Sequence, residues 1–234
     1  MTDFHIHVLP GIDDGAESPE VSYEMLWRSR EQGVDTVVAT PHFYPFDESP
    51  EEFLRRRRAA ADALKNYVAD LRKQGKEKVK RLPMIYLAAE VYFFPTLGTC
   101  ESLELLSFGK ERFLLIEPPM TPFTDSMLNE IELARRNFGY LPVIAHVDRY
   151  ARMLGDYGIF RMVRERGFLV QVNSSFFRLR ETAELAVEML KNGEIAMIGS
   201  DAHNLDDRPP NLEEALYVIQ RKGAADALEN LIAL

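Results

Sequence analysis

In this chain of 234 residues, the side chains whose types and spacing could do chemistry are its five histidines and a few carboxylates near them. His5 and His7 form an H-x-H pair in FHIHVL, and Asp14 follows in the loop GIDDG. His42 follows Thr40-Pro41, Glu90 closes MIYLAAE, Glu117 closes RFLLIE and His146 closes LPVIAH. Asp201 and His203 form a D-x-H pair in GSDAH. Residues two apart in a strand point to one face, so both imidazoles of H-x-H can reach a single inward-facing metal ion. H-x-H alone is a weak signal, because a lone histidine is more often a satisfied core or cap residue. H-x-H with a downstream D-x-H, and with carboxylates between them, is much stronger. Imidazoles mixed with carboxylates suit Mn²⁺, Fe²⁺ or Zn²⁺, and the lack of cysteine ligands argues against a structural zinc site.

These residues need elements to position them. Short apolar runs at 4–9, 35–40, 84–90, 112–117, 141–146, 168–173 and 195–200 have the continuous apolar character of strands buried on both faces of a parallel sheet. Helical patterns lie between them, at about 18–32, 50–74, 124–138, 156–166, 180–192 and 211–221. No linker, repeat or low-complexity tract divides the chain, so the alternation predicts one α/β domain over residues 1–234. About seven strands and no Gly-rich phosphate loop favour a closed or nearly closed barrel over a doubly wound sheet. The stretch 91–111 is less regular and reads as an inserted turn or short helix. Six of the seven predicted strands finish near a His, Asp or Glu, and barrels of this class build their sites on that edge.

Composition narrows the function classes. The net charge of −9 argues against a nucleic-acid surface acting through charge. The single cysteine, Cys100, permits no internal disulfide and fits a reducing compartment. The start lacks a secretory pattern, and no run of 18 apolar residues predicts a membrane span, so a cytoplasmic protein is expected. A cysteine-phosphatase loop needs an arginine six residues after its cysteine, and here that residue is Leu106. No G-x-S-x-G, Walker or H-E-x-x-H motif occurs. The run Arg55-Arg56-Arg57-Arg58, with Glu51 and Glu52 upstream, reads as the solvated face of a helix.

The segments FHIHVLPGIDDG, ATPHF, AAEVYF, LLIEPP, VIAHVDRY, VQVNSS and GSDAHNLDDRPP resemble, in order from residue 3 to about residue 210, the motifs of the polymerase-and-histidinol-phosphatase (PHP) superfamily. Within it the sequence is most similar to the bacterial manganese-dependent protein-tyrosine phosphatases linked to capsular and exopolysaccharide synthesis. The resemblance implies a distorted (β/α)7 barrel with a cluster of three divalent cations, Mn²⁺ foremost and Fe²⁺ or Zn²⁺ as alternatives, at the C-terminal edge of the strands. It implies that His5, His7, Glu90 and Asp201 hold one metal, that Glu90 bridges to a second held by Glu117 and His146, and that Asp14, His42 and His203 hold the third. It also implies that Arg149 and Arg208 contact phosphate oxygens, as guanidinium forks can. Salt bridges to Asp148, Asp206 or Asp207 are the alternative for these arginines.

Such a constellation suits phosphoester hydrolysis. Three divalent cations among four carboxylates leave a net charge of about +2, or about +1 with a bridging hydroxide, which attracts a phosphate dianion. A metal-bound hydroxide would be the nucleophile, so no protein nucleophile is required. The expected substrate is phosphotyrosine on a protein such as a bacterial tyrosine kinase, with no nucleic-acid partner and no membrane insertion. A histidinol-phosphatase-like enzyme stays open, although that branch more often carries a third histidine where Asp14 stands. A nuclease or proofreading domain fits the acidic charge less well. A catalytically silent metal-binding module would be expected to lack ligands that are present here. Asp3, Asp13, Asn173 and Asn204 sit beside ligand segments and could orient imidazoles or form Asx turns. Phe43, Tyr44 and Phe46 could form an apolar wall for an aromatic leaving group or pack in the core.

Overall fold

The computed structural model describes residues 1–76, 79 and 81–234. Its strands are β1 (Thr2–Ile6), β2 (Thr36–Ala39), β3 (His42–Phe43), β4 (Met84–Leu87), β5 (Glu90–Tyr92), β6 (Phe113–Glu117), β7 (Leu141–Ile144), β8 (Leu169–Asn173) and β9 (Met197–Gly199). Between and after them come α1 (Pro19–Glu31), α2 (Pro50–Lys73), α3 (Asp125–Phe138), α4 (Val147–Leu154), α5 (Gly158–Glu165), α6 (Ser175–Arg178), α7 (Ala183–Lys191) and α8 (Leu212–Arg221). Local chemistry sets several helix starts. Ser18 accepts from the Val21 N–H at the start of α1, where proline opens the helix. Ser49 and Glu52 form a reciprocal capping box at α2, again with proline first. Thr124 caps α3, which ends on Gly139 in the left-handed conformation.

All the named strand pairs are parallel. They form a three-stranded sheet, β1-β2-β4, and a six-stranded sheet, β3-β5-β6-β7-β8-β9. The division falls at two bends, Thr40-Pro41 between β2 and β3 and Ala88-Ala89 between β4 and β5. Backbone bonds bridge the bends, from Ala88 N to Ala39 O (2.9 Å) and from Glu90 N to Pro41 O (3.1 Å). At the far side Asp201 N donates to His5 O (2.7 Å) and His7 N to Ala202 O (2.9 Å), so the chain leaving β9 runs alongside β1. The sheet is therefore curled, with β1 brought back beside the end of β9. Strand alternation then divides the core. Phe4, Val38, Leu115, Val143 and Met197 form a small apolar cluster within the curl, while Leu114, Ile116, Ile144, Val170, Val172 and Ile198 join the larger cluster that packs against the helices.

The expected strands and helices occur, with differences that have local causes. The run 84–90 is two strands rather than one, because the chain bends at Ala88-Ala89. The last residues of the runs 4–9 and 141–146 lie beyond their strands, and His146 instead caps α4, a helix that apolar periodicity alone did not separate from the strand before it. The irregular stretch 91–111 holds two 3-10 turns, Leu97–Thr99 and Glu101–Leu106.

The arginine run is not one solvated face. Arg55 and Arg58 are exposed, but Arg57 is only 8% exposed, and it donates to Ala88 O (2.6 Å) and Leu105 O (2.8 Å). The reason is helical spacing: Phe53, Arg57, Ala60 and Leu64 form the buried stripe of α2. Burial pushes the Arg57 guanidinium down to about 10. The side chain thus satisfies a carbonyl at the bend that leads into Glu90. We expect Arg57→Met to lower unfolding stability by about 2–3 kcal/mol in urea denaturation, because it strands two carbonyls. Arg58→Met should shift it by less than about 0.5 kcal/mol, and equal effects would remove this role from Arg57.

Candidate metal centre

The nine predicted ligands come from six strands or the loops that follow them, and the structure brings them into one cluster. His5 lies in β1 and His7 one residue past it; His42 opens β3, Glu90 opens β5 and Glu117 ends β6. His146 follows β7, while Asp201 and His203 follow β9. Alternation raises each side chain above the apolar floor: Leu115 gives way to Glu117 on β6, and Leu169 to Gln171 and Asn173 on β8.

Tight backbone geometry completes the placement. His146 and Asp201 both have left-handed backbones, with φ of 32° and 54°. Non-glycine residues rarely adopt that region, and it turns the chain sharply at two of the predicted ligands. Gly199 allows β9 to approach β1, since a Cβ there would lie 2.4 Å from the His5 Cβ. Gly15 does the same for the Asp14 loop, where a Cβ would lie 2.3 Å from His7 O.

Glu90 is the hub. It is buried, and its carboxylate lies 3.2 Å from His5 Nε2, 3.3 Å from His7 Nε2, 3.0 Å from His42 Nδ1 and 2.8 Å from His146 Nε2. Glu117 adds contacts at 3.7 Å to His42 and 3.5 Å to His146. Asp14, the most exposed of the set, lies 3.5 Å from His42 Nε2 and 3.4 Å from His203 Nε2. Asp201 lies 3.6 Å from both His5 and His7 and 3.7 Å from His203.

The donor set fits divalent cations. Three groups, His7–Asp14–His42–His203, His5–His7–Glu90 and His42–Glu90–Glu117, each bring their donor atoms within 4.8 Å of one another. His42 Nδ1, Glu90 Oε2 and His203 Nε2 are buried without a hydrogen bond, although imidazole–carboxylate contacts lie within 3.5 Å. Donors that converge without bonding one another are arranged for a shared ligand. The connections are denser than the division into three metal sites described above, since His7 falls in two groups and His42 also reaches Glu90 and Glu117.

A second layer orients the imidazoles. Asp13 lies 2.8 Å from His7 Nδ1 and accepts from His42 N at 3.0 Å. Gln171 lies 3.3 Å from His5 Nδ1 and accepts from His146 N at 2.6 Å. Asn173 donates to Asp201 (2.9 Å), and Asp3 accepts from Ser200 Oγ (2.6 Å). Asn204, by contrast, accepts from Asp206 N and Arg208 N and so builds its own loop. Sequence reasoning passed over Gln171, whose signal is a lone amide inside an apolar strand, and Tyr92 and Tyr150, which border the site. Phe43 is core and packs on Phe53, whereas Tyr44 stacks on His42 with centroids 5.2 Å apart.

Electrostatics follow from burial among carboxylates. Burial opposes protonation of His7, but its bond to Asp13 and the adjacent Glu90 carboxylate outweigh this and lift it to about 10. His146 rises to about 9 against burial, through Glu117 and Glu90. Burial would raise the Glu90 carboxyl, yet His5, His146 and His42 hold it well below the carboxylate range. Burial and the neighbouring His7 push His203 down to about 3. Neither arginine pairs with Asp148, Asp206 or Asp207 in the main. Arg149 and Arg208 both reach Asp201, Arg208 at 2.8 Å.

Fold and site together define a parallel α/β protein with a buried imidazole–carboxylate centre at its strand ends. The chain belongs to the family described as "Capsular polysaccharide synthesis, CpsB/CapC", which it matches over residues 1–233. It is 31% identical to the tyrosine-protein phosphatase CpsB of Streptococcus pneumoniae, covering 98% of this chain and 94% of that protein. It is 28% identical to the tyrosine-protein phosphatase YwqE of Bacillus subtilis, covering 95% and 85%. Among solved structures it superposes with a TM-score of 0.80 and 25% identity, covering 100% of this chain and 96% of the other, on a chain from the study of YwqE and CpsB as "unique metal-dependent tyrosine phosphatases".

Two outcomes follow from the protonation of the cluster and its outer layer. Imidazoles must be neutral to bind a cation, so metal binding near pH 7.5 should expel protons from His7 and His146. Both folded values lie above that pH, so apparent affinity should rise as pH rises from about 6 to 9. Calorimetry in buffers of different ionisation enthalpy reads the protons directly, and a proton-neutral binding heat would contradict the assignment. Asp13→Ala should weaken metal binding by about 10–100-fold while leaving the fold intact by circular dichroism.

Proposed function

We propose that this protein is a metal-dependent phosphomonoesterase acting on phosphotyrosine in proteins, with a bacterial tyrosine kinase of the capsule or exopolysaccharide system as its substrate. The carrying observation is the convergence of His5, His7, Asp14, His42, Glu90, Glu117, His146, Asp201 and His203 on one centre flanked by two arginines. The names of its relatives, tyrosine-protein phosphatases, support the substrate class. We read residues 1–234 as one domain and the curled sheet as a seven-strand barrel, with β2–β3 and β4–β5 each counted as one bent strand. Three divalent cations, Mn²⁺ foremost, are assigned to the centre.

His5, His7, Glu90 and Asp201 would hold the first cation, Glu90, Glu117 and His146 the second, and Asp14, His42 and His203 the third. Bound there, divalent cations neutralise phosphate charge and lower the pKa of water toward ~7. The protein supplies the rest. Asp13 and Gln171 fix ring orientation through the far imidazole nitrogens. Arg149 and Arg208 hold their guanidinium groups at Asp201, on the half-exposed rim, where a fork can turn to phosphate oxygens. No helix of the described residues is long and apolar enough to cross a membrane, and a cytoplasmic setting is part of this proposal.

The test is kcat/KM with Mn²⁺ for a phosphotyrosine peptide against histidinol phosphate, each repeated with chelator. A chelator-sensitive preference for the peptide supports the proposal, and a preference for histidinol phosphate moves the protein to small-molecule metabolism. Two variants examine the residues. His42→Ala should lose metal and most activity with its fold intact, and full activity at full metal content would sink the ligand assignment. Arg208→Ala should cut kcat/KM about 100-fold at constant metal content, and unchanged kinetics would remove Arg208 from the reaction.

A further inference from the structure

A centre of cations and arginines grips the phosphate of any ester. Discrimination between an aryl and an alkyl ester has to come from the walls beside it. Glu117, Asp14, Arg149 and Arg208 give polar walls. Among the aromatic residues that border the site, Tyr44 is the one that stacks on His42. It follows β3, two residues after His42, and its ring stacks on the His42 imidazole with centroids 5.2 Å apart and planes at 24°. Tyr92, at the end of β5, also meets it, at 5.7 Å and 53°. Tyr44 is nevertheless 39% exposed, so it keeps free surface.

That free surface faces usable space. Tyr44 shares with His42 and Asp14 the lining of a cleft of 270 Å³, whose remaining walls are Ile12, Asp13, Asp47, Glu48 and Arg56. An apolar cavity of about 150 Å³ accepts benzene, so a phenyl ring has room here. Two of the candidate metal ligands, His42 and Asp14, line the cleft, so it adjoins the centre. Arg56 is engaged with Glu48 (2.5 Å) and with Ile12 O, and so is not free to claim the phosphate itself.

We propose that Tyr44 is a specificity-determining residue that binds the phenyl ring of an aryl phosphate, and that Tyr92 is a positioning residue that holds the Tyr44 ring in place. The inference rests on the phosphatase reading above. The contact is ring against ring: the phosphate enters the centre, and the ring of the ester lies in the cleft against Tyr44 in an offset or edge arrangement. The hydroxyl of Tyr44 is not required.

Calorimetry on the Mn²⁺-loaded protein separates this from turnover. The probes are phenylphosphonate and methylphosphonate, which share a head group and differ in the ring. The wild type should bind phenylphosphonate at least about tenfold more tightly, as expected of an apolar contact of this size. Tyr44→Leu should reduce that ratio to about threefold or less, and Tyr44→Phe should retain it. Tyr92→Leu, which removes the support and leaves His42 its stacking partner, should give an intermediate ratio. Manganese content is counted for each variant, and Tyr92→Leu serves as the deciding variant if Tyr44→Leu loses metal. Equal binding of the two probes by the wild type, or a ratio unaltered by Tyr44→Leu at full metal content, overturns the inference and leaves the phosphatase reading standing. A ring preference that depends on Tyr44 in a protein that turns over no phosphotyrosine peptide would uphold the inference and remove the phosphatase reading.

Discussion

The carboxylate of Glu90 is the constraint on which the structure turns. It is buried, and four imidazoles converge on it from β1, from the loop after β1, from β3 and from the end of β7. An isolated buried carboxylate is costly, and so is a set of buried imidazoles. Each makes the other tolerable. Protons on His7 and His146 offset the negative charge of the cluster, which is why their affinity for protons stands so far above that of an ordinary histidine. Cations that replace those protons meet the same demand for positive charge. Metal binding is thus an exchange of one compensating charge for another in a site already shaped around a negative hub.

That hub has a structural cost at the backbone. Glu90 opens β5, just after the bend that divides the sheet. A bend frees carbonyls that a straight parallel ladder would use, and Arg57 takes up one of them from α2. His42 opens β3 at the partner bend, where Pro41 has no N–H to give. Both interruptions therefore fall beside candidate ligands. The sheet gives up continuous pairing where it needs side chains turned into the centre, and the left-handed backbones of His146 and Asp201 do the same work across the curl.

The charge distribution reconciles an acidic chain with an anionic substrate. The net charge of −9 disfavours phosphate at long range. At the centre, however, the carboxylates lie among imidazoles, and two arginines gather at Asp201. Under the proposed metal assignment, attraction would be local and conditional on bound cations.

The sequence by itself determined the types of the candidate ligands and the apolar runs that carry them. Apolar runs bounded by His, Asp and Glu are a local signal: a parallel strand is apolar because it is buried on both faces, and polarity at its end marks the exit toward the site. His5, His7, Glu117 and Asp201 were legible in this way. Other features were decided only in three dimensions. Whether Gln171 or Asn204 supports a ligand depends on which strand face meets which ring, and nearby sequence does not encode that. The inward turn of Arg57, the pairing of both arginines with Asp201 rather than with nearer aspartates, and the choice of Tyr44 over Phe43 at the cleft are likewise tertiary. Local pattern fixes what a residue can do, because periodicity and end position are short-range. Which neighbour it does it with depends on contacts between residues as much as 197 positions apart, such as Asp3 with Ser200, and only the folded chain brings those together.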